Sequence, residues 1–494
     1  MRLIILFLAC LSLMPLNGQG YFELNESISE AYKLVSTLQF KEAQAKIDSI
    51  KHNEPDNLLV YHIENYIDFF TIFINEEEEE FKRLEKNKKI RLEKIGQGDK
   101  SSPYYLFAKA EINLQWATAR IKFGQKFDAA REVYRAYKFL EDNQEKFPDF
   151  IENKKSLSII HALGESLPGI IRKIMGVKGS IEQGTNEIRE VVEYSKNNDF
   201  LFKDESYAIY AYILFYQNNK KHEAYQLLSE ANLDHSTSPL ICFIKANIAQ
   251  KTGHNTEAIQ ILEERPQGES YAPFPYLDFM YGKFKLYELD PGSQDYMLKF
   301  LDEFNGRHFI KEAYQKLAWY EIVTNEDVAA YKKFMELCQK EGHDLVDEDK
   351  QALKESKDKE IPNATLLRAR LLFDGGYYIR AYNLLIHKAF LFIDNNSKES
   401  LEFKYRMGRL SQELKNYPDA IDYYIATINE GEEMKSFMAC NAALQIALIF
   451  EGQQKHGQAK KYFDLCLDIS PKRYKNSLHQ KAKSGLDRIG PFIN

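Results

Sequence analysis

Residues 176 to 185 read Gly-Val-Lys-Gly-Ser-Ile-Glu-Gln-Gly-Thr, and their glycine spacing suggests a phosphate cradle. Gly179 and Gly184 are five apart, as a nucleotide-binding loop requires. The lysine that would reach the terminal phosphates is missing, because Thr185 is followed by Asn186. Such a loop also follows a strand, whereas Ser-Leu-Pro-Gly-Ile-Ile-Arg-Lys-Ile-Met ahead of it has a helical pattern. Helix ends explain the glycines better. A glycine closes one helix, and Ser180 with Gln183 three residues on has the spacing that opens the next. The expectation is a connector, not a nucleotide site.

Other chemistry-bearing residues are equally bare of partners. The 11 histidines include no HxxxH, HExxH or HxH pair, the local signatures of a zinc site. Residues 344–351, Asp-Leu-Val-Asp-Glu-Asp-Lys-Gln, carry carboxylates without the glycine and final glutamate of a calcium loop. No GxSxG nucleophile turn occurs. Beyond Cys10 the cysteines are Cys242, Cys338, Cys440 and Cys466, with no CxxC pair, and they are expected as buried thiols acting as small hydrophobes. No catalytic residue, metal or cofactor is expected, and the chain is not read as an enzyme.

Composition narrows the class further. The net charge of −7 comes from acids and bases mixed along 494 residues, which speaks against a nucleic-acid partner. Hydrophobic residues make up 44%, enough for a large core. Abundant Tyr (31) and Phe (32) beside 24 glycines suit helix packing better than glycine-turned β structure. Residues 1–20 have the three regions of an export signal: Arg2, the apolar run Leu3 to Leu16, and the small-x-small exit Gly18-Gln19-Gly20. The apolar run is shorter than the ~20 residues a spanning helix needs. With the signal removed, no transmembrane span is expected, and the mature chain is placed in the periplasm, at the outer membrane or outside the cell.

The elements that must position any site emerge from an internal period. Ala224 and Ala258 are 34 residues apart, and each stands at the start of the second of two apolar-periodic helices joined by a polar turn. Counting each alanine as position twenty places Tyr212 and Ala246 at eight, Phe215 and Ala249 at eleven, and Leu228 and Leu262 at twenty-four. The same grammar recurs around Ala43, Ala130, Ala330, Ala381, Ala420 and Ala459, giving eight units. A small residue at position twenty lets two helices approach, and stacking on neighbours completes the core. The last helix, near 477–490, has the polar face of a cap. Residues 75–94 run from acidic to basic with Glu78–Lys82, Glu79–Arg83 and Glu85–Lys89 four apart, predicting a solvated helix face.

These eight units resemble the tetratricopeptide repeat superfamily over most of residues 28–490, in the manner of exported bacterial repeat proteins. The segment 161–188, with Ser166-Leu167-Pro168 and Gly176-Val177-Lys178-Gly179, is similar to tetratricopeptide repeat protein 39 and its yeast inclusion-body-clearance relatives. The resemblance implies an all-α, right-handed superhelical solenoid of antiparallel helix pairs whose first helices line a concave surface. Position nine on that surface holds Arg370 and Arg409 in adjacent units, with Arg406 almost one turn before Arg409. Trp319 and Asn247 take the same position farther back. Three guanidiniums on one wall would suit carboxylates, unless Asp374, Glu402 or Glu413 pair with them instead. The organisation expected is a signal at 1–20, an N-terminal helical region at 21–200 and a repeat array at 201–494. The function expected is an exported scaffold binding a protein or peptide partner through Arg370, Arg406, Arg409, Trp319 and Asn247. A glycan-capturing surface protein of the SusD type is the alternative.

Overall fold

The computed structural model describes residues 19–164, 176–358, 360–392 and 397–493. The signal segment up to residue 18 and Ser166-Leu167-Pro168 lie outside the described residues. Within them the chain is all-α. The helices are α1 (Glu26–Ser36), α2 (Phe40–Asn53), α3 (Leu59–Asn75), α4 (Glu78–Ile95), α5 (Pro103–Lys122), α6 (Lys126–Lys146), α7 (Glu152–Gly164) and α8 (Ile181–Asn197). They continue with α9 (Lys203–Tyr212), α10 (Lys221–Glu230), α11 (Pro239–Lys251), α12 (Asn255–Glu263), α13 (Tyr276–Tyr287), α14 (Ser293–Glu303), α15 (Ile310–Tyr320) and α16 (Val328–Lys340). The rest are α17 (Asp347–Lys357), α18 (Ala364–Asp374), α19 (Tyr378–His387), α20 (Lys398–Glu413), α21 (Tyr417–Gly431), α22 (Phe437–Gly452), α23 (His456–Asp468) and α24 (Lys475–Ile489). Among the described residues extended pairing is limited to isolated bridges from Gly20 to Gly98 and from Tyr21 to Asn57.

The chain folds as two compact units. One holds residues up to Thr252 with 260–277 and 303–308; the other holds 253–259, 278–302 and 309–494. The first unit buries Tyr66, Phe107, Tyr137 and Phe202 in its largest core. The second buries Ala420, Tyr424, Ala443 and Phe463 in one cluster and Ala369, Ala381 and Met407 in another.

One turn recurs along both units and explains the repeat physically. Leu38, Glu76, Gly124, Asn219, Gly253, Glu326, Gly376, Lys415 and Gln454 are left-handed, with φ between 54° and 87°. Each stands two residues before a helix begins. Left-handed backbone redirects the chain sharply enough to lay the next helix back along the last. Five residues after each comes Ala43, Phe81, Ala129, Ala224, Ala258, Tyr331, Ala381, Ala420 or Ala459, none more than 4% exposed. That is the small position inferred from sequence, with three differences. Ala129 replaces Ala130 in α6. Tyr331 replaces Ala330 in α16. The α3–α4 pair is a further unit in which Phe81 takes the place alanine holds in most of the others.

The glycine segment behaves as a connector, but its glycines do different work. Gly176 and Gly179 have φ of 58° and 142°. The Ser180 hydroxyl accepts the Gln183 N–H at 3.1 Å and caps α8. Gly184 lies inside α8, where an added Cβ would meet Ser158 O at 2.4 Å. It lets α7 and α8 touch. The 75–94 charge run also differs from expectation. Glu78 and Lys82 pair at 3.2 Å on the exposed face, yet Lys88 and Arg91 are buried. Lys88 pairs with Glu132, and Arg91 with Asp68 and Glu64.

Candidate functional site

In the second unit α17, α18, α20 and the start of α22 surround a pocket of about 840 Å³. Arg370, Arg406 and Arg409 all line it. The equivalence of Arg370 and Arg409 has a local cause: each lies eleven residues before the buried alanine of its hairpin, Ala381 or Ala420, and so takes the same helical phase. Their partners differ. Arg406 Nε donates to Glu402 Oε1 at 2.7 Å, one turn back on α20. Arg370 Nε lies 3.8 Å from Asp374 Oδ2, a loose pair with a side chain 36% exposed. Arg409 stacks over the Phe373 ring at 4.7 Å and donates to the Tyr405 hydroxyl at 3.3 Å. Among the described residues no carboxylate forms an ion pair with Arg409. Internal carboxylates therefore neutralise only part of this wall.

Trp319 stands behind the wall. Tyr331 sets the phase of that hairpin one residue later than Ala330 would, which moves Trp319 from the groove position to the packing position before it. It is 1% exposed. The Arg370 guanidinium lies over its ring at 4.4 Å and Lys316 Nζ at 3.8 Å. Its indole N–H donates to Glu355 Oε1 at 2.6 Å, and Gln315 Nε2 donates to the other oxygen at 2.8 Å. Burial pushes the Lys316 amine down to about 8; Glu312 pulls it up, while Arg370 and Lys283 add to the fall. Positive charge is thus crowded around one indole.

The fold is an all-α repeat of antiparallel helix pairs. No family model matches the chain, and no curated protein matches it in sequence. A solved human IFIT1 dimer with m7Gppp-AAAA is 12% identical, covering 94% of this chain and 96% of its own, with a TM-score of 0.30. The human IFIT1 dimer with PPP-AAAA is 14% identical over 95% and 96% at 0.30. The structure of Naa15/Naa10 bound to HypK-THB is 13% identical over 95% and 68% at 0.23. Scores of this size add nothing to what the helix pairs and their turns already carry.

Within this helical repeat, the other expected contact residue lies elsewhere. Asn247 belongs to the first unit, where its amide donates to the Tyr212 hydroxyl at 3.1 Å. Sequence reasoning missed Phe373, Tyr405 and Glu355. Tyr405 lies four residues before Arg409, a spacing at which helical side chains meet, whereas Phe373 reaches Arg409 from a different helix and had no local signal. Glu355 had no local signal, because α17 is an extra helix between repeats.

A second constellation, in the first unit, is closed rather than open. Lys155 Nζ donates to Glu111 Oε2 and Glu205 Oε1, both at 2.8 Å, with its side chain fully buried. Tyr66 lies 3.0 Å from Glu111 Oε2 and 3.1 Å from Glu205 Oε2, and Tyr32 donates to Glu205 at 3.1 Å. Burial pushes the adjacent His62 down to about 4, so it is neutral near pH 7. This network ties α1, α3, α5, α7 and α9 together. Among the described residues no group of three or more His, Cys, Asp or Glu is arranged to hold a metal, and no helix is long and apolar enough to cross a membrane.

Proposed function

We propose that the chain is an exported scaffold whose second unit grips an acidic segment of a protein partner. The observation that carries the reading is Arg409: a guanidinium in a pocket wall, framed by Phe373 and Tyr405, that forms no ion pair with a carboxylate among the described residues. A guanidinium stacked on an aromatic ring is oriented before any ligand arrives, which lowers the ordering cost of a bidentate grip on carboxylate. Arg370, only loosely held by Asp374, supplies a second fork. The test immobilises the full mature chain, captures partners from an envelope extract and identifies them by mass spectrometry. Arg370→Ala with Arg409→Ala should lose the captured protein while keeping the thermal transition. The loss should be larger at ~50 mM than at ~500 mM salt, because exposed charges are screened at high salt. Lost stability with capture intact would make both arginines structural.

Export itself is tested by the first residue of the mature chain. The expected start is Tyr21, whose N–H donates to Asp56 O at 2.8 Å and whose carbonyl accepts from Leu58 N–H at 2.8 Å. Intact Met1 on envelope protein refutes cleavage. The rings of Phe437 and Tyr474, 5.2 Å apart at the same pocket, favour a second reading, glycan capture of the SusD type. Binding on a glycan array that Tyr474→Ala abolishes would promote it.

A further inference from the structure

We propose that Cys440 and Cys466 form a disulfide when the chain folds in a thiol-oxidising environment. The two residues are 26 apart in sequence and give no motif. The hairpin brings them together, because Cys440 lies in the first turn of α22 and Cys466 in the last turn of α23, side by side once the helices run antiparallel. Their Sγ atoms are 3.6 Å apart, and the Cys440 thiol also points at Cys466 O, 3.3 Å away. Both are fully buried. Closing the bond requires the sulfurs to approach to ~2.05 Å, a movement of roughly 1.5 Å. Ala439 and Ala443, in the same core cluster, are small neighbours in sequence. The other two cysteines are not so placed. Cys242 faces Ile261 O at 3.5 Å in the first unit, and burial pushes the Cys338 thiol up to about 11.

The oxidant is a small-molecule or protein disulfide. The Cys440 thiolate attacks one of its sulfurs and expels the first thiolate, leaving a mixed disulfide. Cys466 then loses its proton to solvent, attacks Sγ of Cys440 and expels the second thiolate. Two protein thiols become one disulfide, the oxidant disulfide becomes two thiols, and two electrons pass to it. Full burial of both sulfurs requires the exchange to precede final packing of α22 on α23, so it belongs to folding. In the cell the step rests on the export reading, since cytosolic thiols stay reduced.

The deciding experiment is independent of export. The chain from Tyr21 onward, which lacks Cys10, is unfolded under reducing conditions, diluted into a glutathione redox buffer, trapped with iodoacetamide and digested. The expected product is a single crosslink joining the Cys440 and Cys466 peptides, with Cys242 and Cys338 alkylated. Reductant should then lower the unfolding temperature of the wild type by several degrees and leave Cys440→Ser unchanged. A refolded helical chain alkylated at all four positions overturns the proposal, as does any other pairing. Should Cys440→Ser fail to fold, the crosslink map of the wild type decides alone. Trapping the chain recovered from cells separates the two readings: a crosslink formed in refolding but absent in cells counts against export and not against the pair.

Discussion

Glu76 serves two purposes at a single residue. Its left-handed backbone turns α3 into α4, and its buried carboxylate gathers the Arg307 and His308 N–H groups at 3.2 and 3.0 Å. Burial pushes that carboxyl up, but His308 Nδ1 at 2.8 Å and the Lys122 ammonium outweigh it and hold it at about 2. A carboxyl held below its unfolded value stabilises the fold above about pH 4.5 and loses that contribution as pH falls toward 2. The shift corresponds to about 3 kcal/mol at ~1.4 kcal/mol per unit. Urea midpoints across that range should fall steeply for the wild type and more shallowly for Glu76→Gln. Parallel slopes would remove Glu76 from the acid response. The small positions offer a second test. Ala420 is fully buried, so Ala420→Leu should cost ~1–3 kcal/mol by overpacking. Ala330 is half-buried, and Ala330→Leu should stay within about 0.5 kcal/mol. Equal costs would contradict the phase set by Tyr331.

At the scale of elements, a helix pair is defined by its left-handed turn, and neighbouring pairs are held by side chains that reach across. The Lys155 network is the clearest case. Removing its one cation would strand Glu111 and Glu205, and breaking a buried pair from one side costs about 3–5 kcal/mol. Lys155→Met should lower the unfolding free energy read from urea titration by that amount, and adding Glu111→Gln and Glu205→Gln should recover part of it. A Lys155→Met variant as stable as wild type would mean the carboxyls are already neutral. Trp319 shows the same principle in the second unit. Its ring supports Arg370 and its N–H holds Glu355 on the extra helix α17, so the groove wall depends on an element outside the repeat pattern.

On the scale of the whole molecule, each compact unit carries one of the two tryptophans, Trp116 in the first and Trp319 in the second. Both are buried, so single-tryptophan variants report on one unit each. His62 and Glu76 both belong to the first unit. A histidine held at about 4 also binds fewer protons folded than unfolded, so its contribution is full above about pH 6.5 and lost as pH falls toward 4. The Trp116 signal, read in Trp319→Phe, should therefore redden at a higher pH than the Trp319 signal, read in Trp116→Phe. Loss of both at one pH would show that the units unfold together.

Helix identity, most hairpins and the equivalence of Arg370 with Arg409 were legible in the sequence, because they rest on spacings within one or two helices. Local periodicity carries them. The phase of α6 and α16 was not legible: Ala129-Ala130 is a doublet in which either alanine fits the pattern, and in α16 the doublet Ala329-Ala330 masks Tyr331, the residue that takes the position. Only the left-handed turn before each helix chooses between them, and a left-handed glutamate such as Glu326 looks like any other. The α3–α4 hairpin was hidden for the complementary reason: Phe81 takes the small position. Glu355 beside Trp319, the Lys155 network and the Cys440–Cys466 contact join residues tens of positions apart. Sequence specifies each partner, but which partners meet is decided when helices pack, because burial leaves a charge or an indole N–H no alternative to the group it faces.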